Sequence, residues 1–204
     1  LSIPDWVPVT IALLILAARF AWALSRDAES GQSIALRRAW VKRILAAPGS
    51  EILAIQTLRN SIMAASLMAS TAVLALMGVI SIGHSQLDAA DALRNWMHLG
   101  GHLKLFLPLA LLAACVVLFS KAVRLYHRAG YSLGLSRSAA GSDELSDVAE
   151  AAASGELTRA AHLYRNGWRT FYAAIATGAW LVGAWMMLAT TIIIVAIDIA
   201  ARIE

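Results

Sequence analysis

"SEILAIQTLRNSIMAASLMASTAVLALMGVISIG", residues 50–83, decides the fold. Its uncharged second half, 61–83, is long enough to cross roughly 30 Å of hydrocarbon at about 1.5 Å per helical residue. Its first half loads Gln56, Thr57, Arg59 and Asn60 onto what the pattern predicts to be the same continuous helix. Ser50 is expected to cap that helix, with Glu51 in its first turn favouring the dipole. Gln56, Arg59, Asn60, Met63, Ser66, Leu67 and Ser70 follow the spacing of one helix face. Arg59 lies about two turns after Ser50 and thus at headgroup depth, where a charge is cheap. Three readings fit this polar face: a snorkelling anchor, a network with the cytoplasmic loops, or a contact to a ligand or ion. Gln56 and Asn60 favour the network, because a lipid-facing helix would leave their donors and acceptors unsatisfied.

The rest of the chain has the same character. Of 204 residues, 59% are hydrophobic and 15% charged, well below the quarter usual in soluble domains. Further spans are predicted at 6–24, 103–123 and 171–197, with Lys104 and Lys121 snorkelling from the ends of the third. The fold class is therefore an all-α integral membrane protein: a single domain, 1–204, of four transmembrane helices with cytoplasmic amphipathic surface helices. The loops at 25–51 and 124–170 carry Arg26, Arg37, Arg38, Lys42, Arg43, Arg124, Arg128, Arg137, Arg159, Arg165 and Arg169. The other side has only Arg94, Lys104 and Arg202. The positive-inside rule places both long loops in the cytoplasm and both termini on the outer side of a plasma (inner) membrane. The basic balance reflects this topology, and no nucleic-acid partner is expected.

"SIALRRAWVKRILAAPG" sets Ile34, Trp40, Val41, Ile44 and Leu45 against a basic face, the pattern of a surface helix stopped by Pro48-Gly49. A turn-rich break is expected over "LSRSAAGS", then an acidic helix from Asp143, then a second break at Ser154-Gly155. Asp198, near the end of the fourth segment, is expected to pair with Lys104 or Arg202. Small residues recur at four-residue spacing in 61–70 and 174–183, a pattern that lets helices approach closely in lipid.

"IQTLRNSIMAASLMASTA", with Arg37 and Trp40 upstream, resembles the uncharacterised membrane-protein family known as domain of unknown function 599. "VRLYHRAGYSLG" is similar to that family's Arg-x-Tyr segment, and "NGWRTFYAAIATGAWLVGAW" to its Gly-x-Arg-x-Phe-Tyr entry into the last span. The resemblance covers about residues 35–200, and the chain departs from it at Arg128 and Ala184. It implies the four-span architecture and the signature positions Gln56, Arg59, Asn60, Arg124, Tyr126, Gly167, Arg169, Phe171 and Tyr172. It implies no activity.

The topology gathers Gln56, Arg59, Asn60, Arg124, Tyr126, Arg169 and Tyr172 at the cytoplasmic ends of three spans, with Arg19 and Trp22 able to join. Arginines outnumbering nearby acids suit an anion, such as a lipid phosphate. On the outer loop, 84–102, His98 and His102 have the four-residue spacing of two imidazole ligands, weakened by Gly100-Gly101 and lacking a third ligand. Cys115 is the only cysteine, inside an apolar run, and is read as a small core residue. No cofactor is expected. With no nucleophile set or phosphate loop, the chain reads as a non-catalytic scaffold or accessory subunit. Its partners would be membrane lipids, itself or other membrane subunits; the alternative is an oligomeric ion or small-solute channel or transporter.

Overall fold

The computed structural model describes residues 4–26, 31–47, 49–87, 99–138 and 143–203, all helical apart from short turns. Among the described residues six α-helices follow in order: α1 (Trp6–Arg26), α2 (Gly31–Ala46), α3 (Glu51–Leu87), α4 (Leu99–Ser138), α5 (Asp143–Gly178) and α6 (Ala184–Ile203). A single 3-10 turn, Ala179–Leu181, separates the last two. Among the described residues three stretches are long and apolar enough to cross a membrane: Trp6–Ala23, Ile52–Gly83 and Leu103–Gly134. Only 22% of each apolar window is buried, so most of that surface faces outward, as a lipid-immersed helix requires.

The residues group into two compact units. The first comprises Leu1–Arg26, Thr71–Cys115 and Trp168–Glu204; the second, Asp27–Ser70 and Val116–Gly167. Helices α3, α4 and α5 each contribute to both.

In the second unit, four helices meet around Val41 and Ile44 of α2, Ala54 and Leu58 of α3, Ala122, Tyr126, Ala129 and Leu133 of α4, and Ala153, Leu157 and Ala160 of α5. The spacings on α4 and α5 alternate between three and four, which keeps one stripe per helix inward. Fully buried alanines let the backbones approach closely, and contact rather than bulk supplies the attraction. Helix α2 is amphipathic, with Val41 and Ile44 buried and Arg38, Lys42 and Arg43 exposed, but its apolar face packs into this protein core while Ile34 stays exposed. Gly49 turns the chain with φ +84°, a region open to glycine. The Ser50 hydroxyl lies 2.6 Å from the Ile44 carbonyl and 2.7 Å from that of Ala47. It therefore closes the end of α2 with its side chain and serves α3 only through its own carbonyl, which accepts from Ala54 N–H at 3.1 Å.

Of the break expected over 135–142, residues 135–138 are helical and the rest lies outside the described residues; the break expected at Ser154-Gly155 is absent. Helix α4 runs to Ser138, fifteen residues past the predicted end of the third span, because Tyr126, Ala129 and Leu133 continue its buried stripe. Helix α5 passes through Ser154-Gly155 without interruption. An interior glycine costs only about 1 kcal/mol, which the packing of Ala153 and Leu157 on either side outweighs.

The fourth predicted span, 171–197, is not one helix. It breaks between Gly178 and Ala184, and its second part is the shorter apolar helix Ala184–Ala200. In the first unit α6 lies along α1 in the same direction. Asp198 pairs with Arg19, while Met187 shares a buried cluster with Val9, Ala12 and Trp180. An antiparallel pairing through Arg19–Asp198 would push Met187 beyond the end of α1. Trp6 and Ile203 thus lie at opposite ends of the α1–α6 pair.

Candidate functional site

The predicted site residues divide between the two units. In the second, α4 carries Lys121, Arg124, His127 and Arg128 within two turns. Positions 121, 124 and 128 fall on one helix face. With Leu125, Tyr131 and Leu163 they line an open groove of about 630 Å³, and none of the residues lining it is acidic. Arg124, His127, Arg128 and Lys121 are all exposed, ready to meet an external group. The His127 Nδ1 lies 2.9 Å from the Val123 carbonyl and is assigned as the protonated nitrogen donating to it, which turns Nε2 outward. Guanidinium groups pair with phosphate or carboxylate oxygens through two parallel hydrogen bonds, and a lysine adds a point charge.

Tyr126 does not join this groove. Two residues on from Arg124, it points to the other side of α4 and is buried. It lines a separate cavity of about 520 Å³ with Arg37, Trp40, Thr57, Leu58, Ser61 and Leu157. The walls are apolar except for the guanidinium, the phenol and two hydroxyls. Those hydroxyls donate to their own helix, Thr57 to the Leu53 carbonyl at 2.8 Å and Ser61 to that of Thr57 at 3.1 Å.

Gln56, Arg59 and Asn60 are exposed on α3. The helix packs through Ala54, Leu58 and Ile62, and Gln56 and Asn60, each two residues from Leu58, fall about 160° away around the axis. The polar face is therefore the outward face of this single chain. Of the nearby acids, Glu150 lies 4.0 Å from the largely exposed Arg38, and Glu156 accepts from the Ser132 hydroxyl at 3.1 Å.

In the first unit Arg169 and Arg19 line a small cavity of about 20 Å³, room for one water, walled by Leu16, Phe20, Ala23 and Ala173. Arg19 Nε is 3.4 Å from Asp198 Oδ2, with both side chains largely shielded. Tyr172 is half-buried and its ring lies 5.5 Å from that of Trp168, which also meets Phe171 edge-on at 6.2 Å. Asp198 thus meets Arg19, a partner the sequence did not suggest; Lys104 places its ammonium 5.7 Å from the Trp180 ring, and the side chain of Arg202 lies outside the described residues. Sequence reasoning did not single out Lys121 and Arg128 as companions of Arg124, although their spacing carried that information.

A family model described as a protein of unknown function, DUF599, matches residues 6–201. The chain belongs to that family. No curated protein and no solved structure matches it. In this DUF599 chain the signature glycine has a clear packing role. A Cβ on Gly167 would lie 2.7 Å from Phe119 Cε1, so the fully buried ring rests against bare backbone. His98 lies outside the described residues, as does the side chain of His102. Among the described residues no three His, Cys, Asp or Glu side chains group as a metal site.

Proposed function

We propose that this DUF599 protein is a non-catalytic scaffold or accessory subunit of the plasma (inner) membrane that holds an anionic lipid phosphate in the α4 groove. The observation that carries this reading is the convergence of Lys121, Arg124, His127 and Arg128 on one open groove without an acidic wall. The basic residues of 25–51 and 124–170 support a cytoplasmic position for this groove, where anionic headgroups are dense. The leucines and Tyr131 beside the cations suit a ligand with acyl chains attached rather than a free ion. Lipid co-purified with native protein and with the Arg124→Gln/Arg128→Gln variant tests it, counted by mass spectrometry. A several-fold loss of phosphatidylglycerol or cardiolipin is expected, and equal retention overturns the proposal.

A second reading, an oligomeric channel or transporter, is favoured by the outward Gln56, Arg59 and Asn60, with Ser66 and Ser70 exposed farther along α3. A polar helix face is better satisfied against another subunit than against lipid. Native mass after mild extraction, together with solute flux of an Arg59→Gln variant in vesicles, distinguishes the two: a single-chain mass without flux removes the channel.

A further inference from the structure

We infer that the C-terminal apolar segment enters and returns as a helical hairpin, so that the two ends of this chain lie on opposite sides of the membrane. The inference stands apart from the lipid-holding role and does not depend on it.

Three placements within the first unit carry it. Arg169, near the end of α5, shares a cavity with Leu16, Arg19, Phe20 and Ala23, the later turns of α1. Trp180, in the 3-10 turn, sits in the buried cluster with Val9 and Ala12, the first turns of α1. Asp198 of α6 returns to Arg19 at 3.4 Å. The chain therefore runs back along α1 from 169 to 180, reverses, and runs forward from 187 to 198. In a straight helix Arg169 and Asp198 would stand about 44 Å apart, at 1.5 Å for each of the intervening residues. Here both are neighbours of the same arginine.

The reversal keeps helical hydrogen bonding close on both sides, which lowers the cost of a turn in lipid, where each unsatisfied backbone group is costly. The N–H groups of Val182 and Gly183 both donate to the Ala179 carbonyl, at 3.1 and 3.3 Å, and Met187 N–H donates to Gly183 at 3.2 Å. Helical bonding thus continues to one side of Gly183 and resumes on the other. Lys104, at the start of the Leu103–Gly134 span, holds its ammonium over Trp180. A lysine at the rim of a span marks the water interface, so the turn reaches close to that surface.

Helix α1 starts on the outer side if the positive-inside assignment holds, and the hairpin then returns the chain to the cytoplasm. Arg202 moves to the cytoplasmic side with it, leaving Arg94 and Lys104 as the outer cations, so the charge bias grows rather than shrinks.

The test uses the full chain with Cys115→Ser and a single new cysteine at either Asp5 or Ala200, both exposed positions. Intact cells are treated with a membrane-impermeant maleimide before and after permeabilisation. One position is expected to label at once and the other only after permeabilisation, with Asp5→Cys the first. If both label in the same condition, the hairpin is overturned as a membrane topology. Should a cysteine variant fail to accumulate, a reporter fused behind Glu204 on the unaltered chain decides between the same outcomes. A fluorescent protein there is expected to glow and alkaline phosphatase to be inactive; active phosphatase overturns the inference.

Discussion

Gly167 and Phe119 occupy one another's space: a Cβ on the glycine would stand 2.7 Å from Cε1 and 2.8 Å from Cζ of the ring. The ring cannot retreat easily, because it is fully buried and meets Tyr164 edge-on at 5.6 Å. Gly167→Ala is therefore expected to destabilise by about 1–3 kcal/mol through overpacking. Thermal unfolding in detergent reads this as a midpoint several degrees lower. Adding Phe119→Leu to Gly167→Ala should recover part of the loss, since the two changes share one contact.

The Arg19–Asp198 pair ties the two ends of the described chain together. Its side chains are 14% and 29% exposed, so solvent screens the pair only partly. Arg19→Gln or Asp198→Asn alone is expected to cost about 1–3 kcal/mol, because each leaves a shielded charge behind. The double variant should lose less than the sum, and its coupling of about 0.5–2 kcal/mol measures the pair itself. Strict additivity in detergent melts would show that the contact contributes nothing to holding α6 on α1.

The spans built on α1, α3 and α4 were legible because long uncharged runs have few other solutions. The hairpin was not, because a hydropathy pattern counts residues and cannot see direction. Nothing charged interrupts 171–197, and a turn in which the Val182 and Gly183 N–H groups donate to Ala179 needs no charged or proline marker. The four-residue spacings Ala174-Gly178 and Ala179-Gly183 fit a helix-packing face equally well. Helix α4 beyond Val123 was taken for loop because polar residues obscured the stripe Ala122, Tyr126, Ala129, Leu133. The candidate site was half legible. The basic character of Arg124 is plain in the sequence, yet Arg124 and Tyr126 do not share a site, because residues two apart face away from each other on a helix.

The joint between α2 and α3 rests on two small residues. Ser50→Ala removes the hydroxyl that meets the Ile44 and Ala47 carbonyls and should cost about 0.5–1.5 kcal/mol. Gly49→Ala forces a side chain into φ +84° and should cost about 1–2 kcal/mol. Nothing lies within 4 Å of a Cβ there, so the second loss is one of backbone strain alone. Gly49→Asn should therefore be milder than Gly49→Ala in the same melt, since asparagine tolerates the left-handed region.

Which face of α3 meets protein can be read by substitution in pairs. Leu58 is buried, and its Cδ1 would stand 3.5 Å from a Cβ on Gly130. Leu58→Ala should leave a cavity and cost about 2–5 kcal/mol. Leu53, 56% exposed five residues earlier, should change stability by less than about 0.5 kcal/mol when cut to alanine. Asn60→Leu then asks what covers the opposite face. Against lipid, leucine removes an unsatisfied amide, and melting should be unchanged or raised. Against a second copy, the same change breaks polar contacts and lowers the oligomer's mass in native spectra. A lowered melting midpoint with an unchanged single-chain mass fits neither and would return Asn60 to contacts within its own chain.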